Sequence, residues 1–127
     1  MQVSTWMTPR PFCVASEDRL DWVAALMRAH GVHRVPVVDR AGRLCGIVTE
    51  HDLRVHQQYP SLAAHDAMSE PPIAVRADDS VERAAEVLLE RRIGGVPVVD
   101  RERRVVGMLT TSDVLCALLD GGEAKAA

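Results

Sequence analysis

Residues 32–53 read VHRVPVVDRAGRLCGIVTEHDL, and residues 93–114 read IGGVPVVDRERRVVGMLTTSDV. The two stretches align without a gap at an offset of 61, and 10 of their 22 positions are identical. The same offset holds upstream, where Met7, Thr8, Pro11, Val14, Asp18 and Ala24 fall on Met68, Ser69, Pro72, Val75, Asp79 and Ala85. A repeat of this length makes each copy one supersecondary unit, so the fold is that unit taken twice. The copies are placed at 6–57 and 67–118, with a linker at 58–66 and a flexible tail at 119–127.

Each copy predicts the order β-α-β-β-α. A short apolar stretch, Phe12–Val14 or Ile73–Val75, has strand character. A helix follows, with Leu20, Val23, Ala24 and Met27 in one copy and Val81, Ala84, Ala85 and Leu88 in the other at helical spacing. Asp79 with Glu82 is an N-terminal capping signature, and Asp18 with Asp21 is a weaker form of it. The VPVV run is a strand that ends in a turn at Asp39–Gly42 or Asp100–Arg103. The return strands are Leu44–Thr49 and Val105–Thr110, and a second helix begins near Asp52 and Asp113. The second and third strands are mostly apolar, which predicts cover on both faces. One such unit buries too little surface to stand alone. The expected fold is therefore α+β, two β-α-β-β-α repeats packed sheet to sheet with pseudo-twofold symmetry.

Composition narrows the function. The formal charge is −3 and no run of Lys and Arg makes a basic patch, which argues against a nucleic-acid partner. No apolar run reaches membrane-spanning length and no signal segment opens the chain, so membrane insertion is not expected. Three widely spaced cysteines, Cys13, Cys45 and Cys116, read as reduced, buried thiols of a cytoplasmic protein. Nucleophile-elbow, Walker and dinucleotide-binding signatures are all missing, so no catalytic residue is assigned and the chain is not read as an enzyme. The five histidines are scattered, without a metal-ligand spacing, and no metal site is assigned.

What remains is the doubled phrase Thr-x-x-Asp, at Thr49/Asp52 and Thr110/Asp113. Read locally, Thr at an N-cap and an acid three residues on form a capping box. Read functionally, a helix N-terminus offers unpaired N–H groups to a phosphate, and an Asp one turn in can accept from a pair of sugar hydroxyls. A ligand can use what the cap leaves free.

The pattern h-P-V-V-D, hairpin, G-h-h-T-x-x-D, given twice, resembles a tandem pair of CBS domains, also called a Bateman module. The resemblance covers about residues 6–118 and implies two clefts between the repeats that hold adenosine nucleotides or related adenosyl compounds. It implies that Asp52 and Asp113 bond the ribose and that Thr49 and Thr110 meet the phosphate, with His51 and Ser112 as further polar contacts. It implies that Val32-His33-Arg34, Ile93-Gly94-Gly95, Phe12 and Ile73 border the adenine, each cleft borrowing its wall from the other repeat. The fragment VHRVPVVD is similar to a segment of the γ subunit of AMP-activated protein kinase, where the His-Arg pair meets nucleotide phosphates. The resemblance thus implies a regulatory sensor of AMP, ATP or another adenosyl compound, with no required cofactor, that signals through conformation, dimer association or an effector protein. The rival reading is a dimerisation scaffold with degenerate clefts. A homodimer is expected in either case. Trp22 and Leu89 are apolar where the other copy carries Arg83 and Arg28, which points to a covered surface.

Overall fold

The structure, a computed structural model, describes residues 1–70 and 72–120. Its elements run α1 (Val3–Trp6), β1 (Thr8–Pro9), β2 (Val14–Ala15), α2 (Leu20–His30), β3 (Arg34–Val38), β4 (Leu44–Thr49), α3 (Glu50–Val55), α4 (Ala64–Ala67), β5 (Val75–Arg76), α5 (Val81–Arg91), β6 (Gly95–Val99), β7 (Val105–Thr110) and α6 (Thr111–Leu119). The β-α-β-β-α order is present twice and the class is α+β. The first strand of each copy begins later than its apolar run, at Val14 and Val75 rather than Phe12 and Ile73, because only there does the backbone pair with β3 and β6.

The chain divides into two compact units, Phe12–Ile73 and Met1–Pro11 with the chain from Ala74 onward. In the first, β2 runs parallel to β3 and β3 antiparallel to β4. Its core is built on Val14, Val23, Met27, Val35, Val37, Val48 and Ala64. In the second, the sheet order is β1-β7-β6-β5. Val3, Trp6, Val81, Ala84, Val96, Val98 and Leu109 are all within 1% of full burial there. The inner strands β3 and β6 are covered on both faces, but β4 alternates residue by residue, so the expectation of full cover fails for the return strand.

The units do not follow the copies. Thr8 and Pro9 precede the first copy's strand yet pair with β7, and Ser69 precedes the second copy's strand yet bridges Ile47 of β4. The neighbouring short helices are exchanged in the same way. Val3 N–H donates to the Asp79 carbonyl at 2.9 Å and Val81 N–H to the Met1 carbonyl at 2.9 Å. At equivalent places Ala64 N–H donates to Asp18 at 2.7 Å and Leu20 N–H to Leu62 at 2.8 Å. The exchange explains the invariant glycine of the doubled phrase. A Cβ on Gly46 would lie 2.6 Å from the Met68 sulfur, and one on Gly107 would lie 2.9 Å from Met7 Cγ. A side chain at either position forces the arriving methionine to move and crowds the carbonyl that follows it, Ser69 at 3.0 Å or Thr8 at 3.1 Å.

The stretch 58–66 is thereby more than a linker: Ala64 is fully buried and opens α4. Leu119 closes α6, so the helix runs into the expected tail, whose residues 121–127 lie outside the described residues. Asp18 and Asp79 do not cap helices. Each carboxylate accepts from the backbone three residues earlier, Ala15 and Arg76, at 2.8 Å. Ser80 caps α5 by accepting from Arg83 N–H, and Arg19 at the start of α2 makes no side-chain cap. The hairpins are tied as expected. Asp39 Oδ1 accepts from Ala41 and Arg43 N–H at 2.9 Å, and Asp100 does the same for Glu102 and Arg104. The Arg43 backbone bond, ahead of that residue's guanidinium, holds the Asp39 carboxyl below its ordinary range.

Candidate functional site

Thr49 and Thr110 end their strands and cap the helices that follow, with matching φ/ψ of −114°/167° and −115°/167°. Both halves of the capping box form. Thr49 Oγ1 accepts from Asp52 N–H at 3.3 Å, and Asp52 Oδ2 accepts from Thr49 N–H at 2.8 Å. Thr110 and Asp113 repeat this at 3.3 and 2.9 Å. Each hydroxyl also donates to its Asp Oδ2, at 3.0 and 3.1 Å. The hydroxyl proton is therefore engaged, and a phosphate receives it only after the hydroxyl rotates away from the carboxylate.

All these bonds converge on Oδ2. Oδ1 of Asp52 and of Asp113 accepts no hydrogen bond among the described residues. Both residues are half-buried. Each is thus a carboxylate locked by its helix cap, with one oxygen left to accept from a donor outside the unit.

Within each unit the segment before the inner strand lies against its own Thr-x-x-Asp. Arg34 pairs with Thr49, and Glu50 N–H donates to the His33 carbonyl at 3.0 Å. Gly95 pairs with Thr110, and Thr111 N–H donates to the Gly94 carbonyl at 3.0 Å. Val32 and Ile93 are half-buried beside them. His51 and Ser112 are exposed in the first helical turn. Phe12 stacks on His30 with ring centroids 4.3 Å apart, which anchors it at the end of α2, and Ile73 is half-buried just before β5.

The two copies differ in charge at this point. Beside Thr49 stands Glu50, paired with His33 Nδ1 at 2.9 Å across an exposed contact. Beside Thr110 the same positions hold Thr111 and Gly94, so Asp113 is the only carboxylate in the first turn of α6. The sequence pattern contained this difference, but only the His33–Glu50 pairing shows that the two residues act on each other.

The cysteines are less buried than their spacing implied. Cys116 is exposed on the outer side of α6, and burial raises the thiols of half-buried Cys13 and Cys45. Among the described residues, no group of three or more His, Cys, Asp or Glu side chains converges, and no helix is long and apolar enough to cross a membrane.

Known proteins share this arrangement. The chain is 30% identical over 131 residues to a CBS domain-containing protein of Dictyostelium discoideum, covering 92% of this chain and 90% of that one. Its fold matches CBSX2 of Arabidopsis thaliana, solved in complex with AMP, at a TM-score of 0.85 and 28% identity, over 96% of this chain and 98% of that one. It matches the CBS domain pair of protein MJ0100, solved with 5′-methylthioadenosine and S-adenosyl-L-methionine, at a TM-score of 0.85 and 28% identity, over 97% and 98% of the two chains. The CBS domain family profile fits residues 3–58 and again 64–120. Each fit takes in a short exchanged helix, the strand-hairpin-strand core and one Thr-x-x-Asp cap, and on these grounds the chain belongs to the CBS domain family and carries the domain as a tandem pair.

Proposed function

We propose that the chain is a regulatory module that binds an adenosine nucleotide or adenosyl compound, with Asp52 and Asp113 as the ribose acceptors. The observation that carries this reading is the state of the two carboxylates. In each, the helix cap takes one oxygen and leaves the other without a partner among the described residues. A carboxylate oxygen presented in this way suits the paired hydroxyls of a ribose. The AMP, 5′-methylthioadenosine and S-adenosyl-L-methionine held by the similar structures support the adenosyl class. Thr49, Thr110, His51, Ser112 and the segments Val32–Arg34 and Ile93–Gly95, with Phe12 and Ile73, are the remaining contacts of this reading.

Charge divides the sites. Thr111 and Asp113 N–H at the start of α6 are already bonded, to the Gly94 carbonyl and to Thr110 Oγ1, but the first turn there carries no carboxylate beyond Asp113, whereas the first turn of α3 carries Glu50 as well as Asp52. Di- and triphosphates therefore favour the Asp113 site, and adenosine or AMP gains relatively more at Asp52. No output domain is implied by these residues. The signal passes through conformation, through association of two copies, or to a separate effector protein. The scaffold reading is favoured by one observation, the exposed leucines Leu89, Leu115, Leu118 and Leu119.

The test is calorimetry with adenosine, AMP, ATP and S-adenosyl-L-methionine against the wild type, Asp52→Asn, Asp113→Asn and the double variant. Asn keeps an oxygen for the cap and turns an amide N–H₂ toward the ligand, so it removes the acceptor without removing the cap. Each substitution is expected to cost about 1.5–3 kcal/mol of binding with little change in melting temperature. Unchanged affinity in the double variant excludes these carboxylates as the ribose site, and absence of binding to the wild type leaves the scaffold.

A further inference from the structure

Each exchanged segment brings a methionine to the unit it joins. Met68 lies over Gly46 of β4 and Met7 over Gly107 of β7, where a Cβ would stand 2.6 Å from Met68 Sδ and 2.9 Å from Met7 Cγ. The two side chains thus fill the space that glycine leaves open. Both are half-buried, so part of each faces solvent, whereas Met27 in the first unit's core is 2% exposed.

What else holds the two segments differs. Beside Met7, the short helix α1 buries Val3 and Trp6. Beside Met68, α4 buries only Ala64 and Ala67, and a methyl group removes far less apolar area from water than an indole. Within 63–69 Met68 is the one long apolar side chain, and it packs against the core of the first unit. The segment's backbone is tied by Ala64 N–H to the Asp18 carbonyl at 2.7 Å, His65 N–H to Ser16 at 3.0 Å and Ser69 N–H to Ile47 at 2.9 Å.

A peroxide turns a thioether into a sulfoxide. The sulfur lone pair forms a bond to one peroxide oxygen and the O–O bond breaks. The proton on the transferred oxygen passes to the departing hydroxide, which leaves as water. Sulfur gives up two electrons and the peroxide takes them. The new oxygen is an acceptor and needs a donor. Its own turn offers none: Met68 N–H is spent on the Ala64 carbonyl at 2.9 Å, Ser69 N–H is spent on Ile47, and the Ser69 carbonyl is itself an acceptor. The donors come from water, and reaching water takes the side chain off Gly46.

We propose that Met68 is an oxidation site, at which conversion of the thioether to the sulfoxide by a peroxide lifts the segment 63–69 from the first unit. Met7 occupies the matching place, but Val3 and Trp6 keep its segment docked when its sulfur is oxidised. The switch is independent of the nucleotide reading.

The test applies hydrogen peroxide to the full chain. Peptide mass spectrometry reads sulfoxide at each methionine, and hydrogen exchange compares the amides of Ala64, His65 and Ser69 with those of Val3 and Ser4. Met68 is expected to oxidise roughly tenfold or more faster than Met27. Its oxidation should speed exchange at Ala64, His65 and Ser69 by roughly tenfold or more and at Val3 and Ser4 by less than about threefold. Met68→Leu keeps the bulk and cannot form a sulfoxide, so it should keep its protection under peroxide. It also retains all three cysteines, and a loss of protection that persists in it belongs to the thiols and overturns the proposal. Met68→Gln puts a polar group over Gly46 and should show the same loss without peroxide, whereas Met7→Gln should leave Val3 and Ser4 protected. Sulfoxide at Met68 with the three amides still protected overturns the proposal, as does a Met68 that oxidises no faster than Met27. The wild-type and Met68→Gln measurements decide the matter even if Met68→Leu fails to fold.

Discussion

In the first copy, α2, α3 and the turn after α3 carry Arg28, Arg54, Gln57 and Gln58. At the same four places the second copy carries Leu89, Leu115, Leu118 and Leu119. The helices α2 and α5 are both 11 residues long, whereas α3 ends after six residues and α6 runs for nine. The inward stripes of α2 and α5 are alike, Leu20, Val23 and Met27 against Val81, Ala84 and Leu88. The inward positions exchange one apolar residue for another, but these four outward positions change in kind, one set to cations and amides, the other to leucines exposed by 54–85%. A core constrains its residues through packing. An outer face answers to whatever covers it, so this divergence reports partners rather than fold.

The largest effect is expected from erasing that divergence. The leucine face is read as the contact of a homodimer, with Trp22, 51% exposed, as a further candidate. Leu89→Arg with Leu115→Arg gives the second copy the first copy's charges. Each buried leucine contributes about 1.5–3 kcal/mol, and twofold symmetry counts each one twice. Sedimentation at micromolar concentration should show the wild type as a dimer and the variant as a monomer. A wild-type monomer, or a variant that remains dimeric, removes the leucines from the interface.

The exchanged helices offer the next comparison. Trp6 and Ala67 occupy equivalent positions, and both are buried, at 1% and 7% exposure. One unit fills the place with an indole and the other closes over a methyl. Trp6→Ala should therefore cost about 3–5 kcal/mol of stability by denaturant titration, although its twin lives with Ala. A loss below about 1 kcal/mol would mean that the first unit's closer packing is available to the second as well.

Most of the fold was legible because it repeats. The hairpins, the return strands and both Thr-x-x-Asp helices stand where the doubled phrase places them, and the capping box forms in both copies. The exchange was not legible. Met7 aligns with Met68 whether each serves its own copy or the other, and alignment carries no information on which β-strand a segment pairs with. The short helices α1 and α4 were also missed, since four residues contain too little periodicity to read. At the candidate site the residue types were legible and the free oxygen was not. Which oxygen a carboxylate spends on its cap is a matter of side-chain geometry.

The glycine of the doubled phrase tests the exchange directly. Gly107→Ala puts a Cβ 2.9 Å from Met7 Cγ and 3.1 Å from the Thr8 carbonyl. The expected loss is about 1–3 kcal/mol. Met7→Ala in the same chain should recover part of it by vacating the space, and Met68→Ala should not. If Met68→Ala rescues Gly107→Ala instead, the segments are assigned to the wrong units.

The smallest effect concerns backbone alone. Gly31 and Arg92 terminate α2 and α5 at equivalent positions, with φ of 62° and 54°. Both N–H groups return to the carbonyls of the preceding turn, so the two ends are the same motif. Left-handed backbone strains any residue with a Cβ, and the first copy avoids that strain where the second accepts it. Nothing lies within 4 Å of a Cβ built on Gly31, so a substitution there meets no steric obstacle and reads conformational strain alone. Gly31→Ala should cost about 1 kcal/mol. Arg92→Gly should gain about half as much, because the added freedom of glycine in the unfolded chain takes back part of the relief. Melting curves of the two single variants measure both. If Arg92→Gly destabilises, the arginine side chain is held by a contact worth more than the strain, and the two helix ends are not equivalent.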